Sequence, residues 1–295
     1  MHKLFINNRI NIIIFNKITG LAKKLSALFL ILIATLSCSY ETDDKEVNSS
    51  VIDTATVLEQ ITSDLCFNNK CPTNMAKDNF TIKHDIFVLS LNRKTKFADW
   101  VAYKVVPQNL SGAYKERKWR SDPKLSDAEY ALTPTDYKHA YATCGYDRGH
   151  LAPLASFSNH ISARKTNYLS NITPQLAKLN RGAWKKLEDR IRLLAREYDG
   201  EVYIMTGSYY TGKTICKLPS AKLEHVVPNG FWKIVILKND DNIKYSSFYF
   251  TQEATDKNYC NYSTSIEKLQ QLTSLNFPSI TTIRTQPLLE ELGCQ

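Results

Sequence analysis

Several signals that would place the chain in a common class of protein are missing from its sequence. None of its seven cysteines has the C-x2-C spacing that structural zinc sites favour, so we discount a metal site built from cysteine. No G-x-G-x-x-G motif predicts a dinucleotide-binding fold, and no internal repeat is found. The apolar run at residues 26–37 is too short for a membrane-spanning helix.

Acidic residues are also absent from the first 38 positions, which carry five basic residues. The basic part is followed by the apolar run at 26–37 and then directly by Cys38, an order typical of an export signal. Bacterial lipoprotein signals end at a cysteine that receives the lipid, although Leu36 lies one position later than in the usual sequence. We expect residues 1–38 to be an export signal with Cys38 lipidated, and so to hold the protein at a membrane. Cleavage with secretion, or retention of the segment as an anchor, are the alternatives.

The remaining cysteines form an even set of six: Cys66, Cys71, Cys144, Cys216, Cys260 and Cys294. In an exported protein such a set predicts up to three disulfides. Cys66 and Cys71 are the pair most readily predicted, and the other four cysteines allow three connectivities that the sequence leaves open.

Charge is distributed unevenly along the chain. The chain holds 38 basic and 29 acidic residues, a net charge of +9, and the first 60 positions contain six of each sign. Residues 61–295 therefore also carry +9. Residues 39–60 contain the six acids and read as an acidic flexible linker, because like charges and few apolar side chains disfavour folding. Residues 61–295 suffice for a single domain, and their charge is a weak indication of phosphate-bearing partners.

The body of the chain mixes strand and helix patterns. β-branched and aromatic residues predict a hairpin over 85–92 and 99–106, and later strands over 201–207, 231–238 and 244–250. One strong helix is predicted where apolar residues recur at steps of three and four, at Trp184, Leu187, Ile191 and Leu194. We therefore expect a fold that mixes α-helices with β-strands, the strands being paired antiparallel.

The segment YDRGHLAPLASF, residues 146–157, presents polar side chains just before an apolar stretch. Asp147, Arg148 and His150 surround Gly149, and we interpret this part as a loop. By itself, such a histidine is more often part of a solvated turn or a hydrogen-bonded core than a catalytic group.

A second polar set lies in residues 167–190, NYLSNITPQLAKLNRGAWKKLEDR. Asn180 and Glu188 are eight residues apart, so they would lie within roughly 80° of each other if both were on one helix. The alternative reading makes Asn180 a helix cap and Glu188 a surface residue.

The two segments together resemble the DNA/RNA non-specific endonuclease family of the ββα-metal (His-Me finger) superfamily. The resemblance rests on DRGH followed by YLSNITPQ and LNRGAWKKLE, with flanking segments such as LSLNRKTKFADWVAYKV, RKWRSDP and VVPNGFWKIVI in the right order. It spans roughly residues 80 to 280. It implies an α+β fold with a central, mainly antiparallel sheet flanked by helices. It also implies an endonuclease that uses Mg²⁺, with Mn²⁺ as a substitute, to hydrolyse DNA and RNA.

The resemblance also implies roles for individual residues. His150 matches the family's general base, and Asn180 matches the asparagine that binds Mg²⁺. Glu188 matches a carboxylate that orders the waters of the metal. Asn171 matches an asparagine that supports the histidine and the substrate geometry.

Arginines complete the set that the resemblance implies. Arg148 and Asp147 fall on the arginine and aspartate of the DRGH motif. Arg117 is the best match to an arginine that contacts phosphate, and one extra residue before His150 keeps Arg120 as a candidate.

The chemistry of phosphodiester hydrolysis suits these residue types. A histidine with an ordinary pKa of about 6.5 can accept a proton from water near neutral pH. Mg²⁺ takes few protein ligands, so one asparagine oxygen is an admissible direct ligand. Guanidinium groups can hold phosphate oxygens through paired hydrogen bonds, and a site directed at phosphates contacts the backbone rather than base edges, which predicts broad sequence tolerance.

Two other functions fit parts of this pattern. The first is a surface lipoprotein that binds nucleic acid on an inactive nuclease scaffold. The second is a phosphodiesterase for small nucleotides, which needs a closed pocket. The intact set of His150, Asn171, Asn180 and Glu188 favours the active endonuclease.

Overall fold

A computed structural model describes residues 61–125, 132–213, 215–240, 242–280 and 286–294. The predicted signal at 1–38 and linker at 39–60 lie outside these residues, so both stay predictions. Within the described ranges, no helix combines the length and apolarity needed to cross a membrane.

A large, mainly antiparallel sheet forms the centre of the fold. Its strands are β1 (Phe80–Lys83), β2 (Val88–Leu91), β3 (Ala98–Val105), β6 (Glu201–Tyr209), β7 (Gly230–Asn239), β8 (Asn242–Thr251), β9 (Ser263–Thr264) and β10 (Gln286–Pro287). The order is β1-β2-β3-β6-β7-β8-β10, with β9 also paired to β8, and only the β8–β10 pairing is parallel. The predicted hairpin and the three later strands are confirmed, with ends shifted by a few residues. The α+β class is confirmed with them.

A separate two-stranded sheet carries the DRGH motif. β4 (Tyr146–His150) pairs antiparallel with β5 (Ile172–Leu176), which places His150 opposite Ile172 and Arg148 opposite Pro174. The prediction that this motif forms a loop is therefore wrong. Gly149 is favoured where the strands approach, because a Cβ there would lie 2.7 Å from Cβ of Gln175.

Four described helices complete the architecture: α1 (Ala140–Cys144), α2 (Ala177–Arg181), α3 (Ala183–Glu197) and α4 (Ile266–Thr273). The predicted helix is α3, and its periodic residues, from Trp184 to Leu194, are buried. Gly182 separates α2 from α3 with φ −99° and ψ −119°, so Asn180 and Glu188 lie on two helices rather than on one continuous face.

The central sheet is packed on both faces. On one face, α3 inserts Trp184 between Phe231 and Phe250, with ring centroids 5.7 and 5.6 Å away. On the other face, Trp232 packs against Phe277, which follows α4. Alternate residues of β7 thus point to opposite cores, as period-two packing requires. The first of these cores anchors α3 against the central sheet.

Three disulfides connect all six of the cysteines considered above. Cys66 is bonded to Cys71, as predicted. Of the three connectivities that the sequence left open for the other four cysteines, the structure has Cys144 bonded to Cys216 and Cys260 bonded to Cys294. The Cys144–Cys216 bond joins the end of α1, directly before β4, to the long segment between β6 and β7.

Candidate active site

A cavity of about 880 Å³ lies between β4, α1, α2 and α3. We call it the basic cavity, because its walls carry six basic and two acidic side chains: Arg117, Lys138, Arg148, Arg181, Lys185 and Arg192, with Asp147 and Glu188. His150 and Asn180 line the same cavity. The structure therefore brings together most of the residues that the sequence singled out.

His150 is held in one tautomer by a residue that sequence reasoning missed. Its Nε2 lies 3.0 Å from Oδ1 of Asn167, whose Nδ2 donates to the Glu116 carbonyl at 2.8 Å. Because a carbonyl oxygen only accepts, Nε2 carries the proton and Nδ1 keeps the lone pair. Asn167 begins the quoted segment NYLSNITPQ, but nothing in its spacing pointed to the histidine.

The pKa of His150 is lowered to about 4, well below the ordinary value expected from sequence. Burial is the main cause, the nearby positive charge of Arg117 adds to it, and the hydrogen bond to Asn167 opposes it. The imidazole is therefore neutral, and able to accept a proton, throughout the physiological pH range.

Asn180 is oriented by Asp147. Its Nδ2 donates to Oδ2 of Asp147 at 2.9 Å, so its carbonyl oxygen is turned away from this carboxylate. Arg181 holds the same carboxylate with two hydrogen bonds, of 2.8 and 2.6 Å. Asp147 thus fixes which end of the Asn180 amide is available as a ligand.

Glu188 lies one turn after Lys185 on the cavity side of α3, and the residue as a whole is half-buried. Burial raises its pKa to about 7, against the opposing charges of Lys233 and Arg192. Its Oε1 is buried and has no hydrogen-bond partner among the described residues. Such an orphaned acceptor is expected where a further ligand or water belongs.

Lys233 is a second residue that sequence reasoning missed. It is fully buried in β7, with Nζ 4.0 Å above the Trp184 ring and 3.4 Å from Oγ1 of Thr206. Burial lowers its pKa to about 8, while the charge of Glu188 opposes that shift. A lysine inside the apolar run FWKIVI was the signal available, because a buried ammonium needs a compensating charge.

The arginine side chains of the basic cavity differ in how firmly neighbouring residues hold them. The Arg148 guanidinium lies 5.3 Å from the Tyr137 ring and 5.6 Å from the Trp119 ring, and it donates to the Pro134 carbonyl at 3.3 Å. Burial lowers its pKa, although the group stays charged. Arg117 is exposed, which leaves its side chain free to follow a ligand.

Two predicted residues do not line the basic cavity. Asn171 is fully buried and clamps the backbone after β4, since its Nδ2 and Oδ1 bond the carbonyl and amide of Ala152, each at 2.9 Å. It contacts the backbone two residues after His150, at Ala152. Arg120 pairs through its backbone with the segment 167–169, so Arg117 is the better candidate for a phosphate contact.

The oxygen donors of the basic cavity fit a hard divalent cation. Nowhere in the described ranges do three His, Cys, Asp or Glu side chains form a cluster that could hold a metal. A Mg²⁺ site does not need one, because this ion keeps several waters and accepts one or two protein oxygens. The oriented carbonyl of Asn180 could serve as such an oxygen, and the orphaned Oε1 of Glu188 could accept a hydrogen bond from a water on the ion.

The fold and the basic cavity define a hydrolase directed at phosphate groups. A family model described as DNA/RNA non-specific endonuclease matches residues 63–282. The chain belongs to this family, as its motifs predicted, and it is an endonuclease.

Individual relatives agree with this assignment. A nuclease of Serratia marcescens is 37% identical over 208 residues, covering 70% of this chain and 77% of the relative. Human mitochondrial endonuclease G is 36% identical over 165 residues, covering 52% of each chain. A solved structure of endonuclease G with its inhibitor EndoGI has a TM-score of 0.58 at 24% identity, covering 67% of this chain and 84% of that one. This likeness shows the shared ββα-metal fold.

Proposed function

We propose that the protein hydrolyses phosphodiester bonds in both DNA and RNA, without sugar or sequence preference, in a reaction that requires Mg²⁺. The observation that carries this proposal is the basic cavity itself. A neutral histidine and an oriented amide oxygen lie in one cavity, surrounded by cations that suit a phosphate.

His150 acts as the general base in this proposal. Its Nδ1 accepts a proton from the attacking water, while Nε2 keeps its own proton, donates it in the hydrogen bond to Oδ1 of Asn167 and so holds the ring in place. The lowered pKa keeps the base available at pH 7, and the negative charge that develops on the phosphate favours the protonated ring as the reaction proceeds. Such a base contributes a factor of about 10² to 10⁴ in rate.

Asn180 and Glu188 hold the metal. The carbonyl of Asn180 would be its direct ligand, and the carboxylate of Glu188 would order its waters. When bound, Mg²⁺ supplies Lewis-acid stabilisation of the scissile phosphate and of the departing 3′ oxygen, and Mn²⁺ can substitute because it also accepts oxygen ligands.

Arg117 and Arg148 bind phosphate oxygens of the nucleic acid backbone. Their guanidinium groups suit paired hydrogen bonds, and contacts of this kind carry no information about base sequence. Both sugars are tolerated because no residue in this scheme contacts the 2′ position.

The test is cleavage of plasmid DNA and of RNA by the purified chain, with and without EDTA. Both substrates should be cut only when the metal is available. His150→Ala should lower the rate by about 10² or more, and Asn180→Ala should raise the Mg²⁺ concentration needed for half-maximal rate. His160→Ala is the matched control, since this histidine is half-buried, like His150, and does not line the basic cavity. Wild-type rates in both cavity variants would contradict the proposed roles.

We also propose that residues 1–38 direct export and that Cys38 carries the lipid that anchors the protein to a membrane. The basic segment, the apolar run and the cysteine that follows it support this. Cys38→Ser should move the protein from the detergent phase to the aqueous phase in a membrane partition. Unchanged partitioning would refute the anchor.

A further inference from the structure

A second cavity, of about 610 Å³, adjoins the basic cavity. It lies between α1, the start of α2 and the segment that follows β8, and the two cavities share Tyr141 and Ala142 as wall residues. A ligand that fills the basic cavity can therefore continue into this one without leaving the protein surface.

The two cavities differ in charge. The second one, which we call the neutral cavity, has a single basic and a single acidic wall residue, Lys178 and Glu253. Its other walls are small, apolar or neutral: Tyr141, Ala142, Gly145, Leu176, Ala177, Gln252 and Thr255. Phosphate thus suits the basic cavity, whereas the neutral cavity suits an uncharged, flat group attached to that phosphate.

Tyr141 stands at the boundary and is 58% exposed, an unusual position for a large aromatic side chain. The Arg181 guanidinium lies 5.2 Å from the centre of its ring, on one face. Asp147 holds that guanidinium through two hydrogen bonds, so the ring rests on a group that is itself fixed. The ring is in this way supported by the residue that also orients Asn180.

We propose that the neutral cavity binds a nucleobase of the substrate strand, next to the scissile phosphate, stacked on Tyr141. This deepens the proposed function and rests on it. Base stacking on an aromatic ring tolerates any sequence, because every base has a π face. The neutral cavity therefore adds affinity for nucleic acid without adding sequence preference.

Binding to two oligonucleotides of equal charge tests the proposal. The cleavage-deficient His150→Ala protein is titrated with a fluorescent oligothymidylate and with an abasic strand of the same length. His150→Ala should bind the strand with bases about tenfold more tightly than the abasic strand. Adding Tyr141→Ala should abolish that difference, while Tyr141→Phe should retain it. The slope of log affinity against log salt should stay the same in all three, because no phosphate contact is lost.

Tyr198→Ala on the same background is the matched control, since Tyr198 is 40% exposed and lines neither cavity. It should keep the tenfold difference. Tyr141→Ala that weakens both strands equally, or that leaves the difference intact, would overturn the proposal. A wild-type chain that cuts neither DNA nor RNA would instead overturn the proposed function, so the two failures are distinguishable.

Discussion

Asp147→Asn should weaken metal binding while leaving the fold intact. In the wild type, the carboxylate accepts a hydrogen bond from Nδ2 of Asn180 at 2.9 Å and so turns the carbonyl of Asn180 away from itself. An asparagine at 147 offers both an oxygen and an NH₂ group. It can pair with either end of the Asn180 amide, so the amide is free to rotate by 180°.

The size of the effect follows from the strength of that contact. A hydrogen bond to a charged acceptor contributes about 1.5 to 3 kcal/mol, and the half-exposed position of Asn180 favours the lower end. A loss of about 1.4 kcal/mol corresponds to a factor of ten. We therefore expect the Mg²⁺ concentration for half-maximal cleavage to rise about tenfold.

The measurement is a Mg²⁺ titration of plasmid cleavage, together with calorimetric titration of Mn²⁺ into the protein without nucleic acid. The control is Asp85→Asn, which makes the same chemical change at an ion-paired aspartate, 2.7 Å from Lys165 and outside the basic cavity. Asp85→Asn should leave both titrations unchanged. If Asp147→Asn also leaves both unchanged, the carboxylate does not orient Asn180 and the reasoning is wrong.

Three further predictions concern charge. In an NMR pH titration, the ring signals of His150 should remain those of a neutral imidazole down to about pH 5, because its pKa is lowered to about 4. A titration midpoint near pH 6.5 would contradict this. Lys233→Met should raise the pKa of Glu188 above about 7, because the lysine ammonium opposes the effect of burial on that carboxyl group. Carboxyl ¹³C shifts measured against pH would report the change, and an unchanged pKa would show that Lys233 and Glu188 are not coupled. Arg117→Ala should reduce the slope of log affinity against log salt by about one, and an unaltered slope would exclude its phosphate contact.

The parts of the fold that sequence predicted are those with a strong apolar period. α3 repeats its apolar residues every three or four positions, and the long strands of the central sheet are rich in β-branched and aromatic residues. β4 escaped prediction because its residues are mostly polar and its partner strand contains Pro174. β5 is buried at four successive residues and β4 at two residues three positions apart, so neither strand shows the period-two alternation by which half-buried strands are predicted.

The residues of the candidate site likewise divide into those that the sequence predicted and those that it did not. The motifs that resemble the family identified His150, Asn180 and Glu188, and the structure brings them to one cavity. Asn167 and Lys233 could not be found by spacing, because their partners are 17 and 45 residues away in sequence and meet them only in the folded chain. The backbone clamp of Asn171 is likewise a tertiary contact.

The β4–β5 hairpin and the two helices that follow it have a consequence for the order of folding. The candidate residues from Asp147 to Glu188 lie within 42 consecutive residues, which form the β4–β5 sheet and the helices that follow it. Loop closure over so short a span costs little entropy, so the hairpin and its helices can form while β6 to β8 are still being synthesised. Trp184 of α3 packs on Phe231 of β7 and Phe250 of β8, so α3 is fixed in place only when these strands are present. Glu188 therefore reaches its final position together with Lys233 of β7, the buried charge that lowers its pKa.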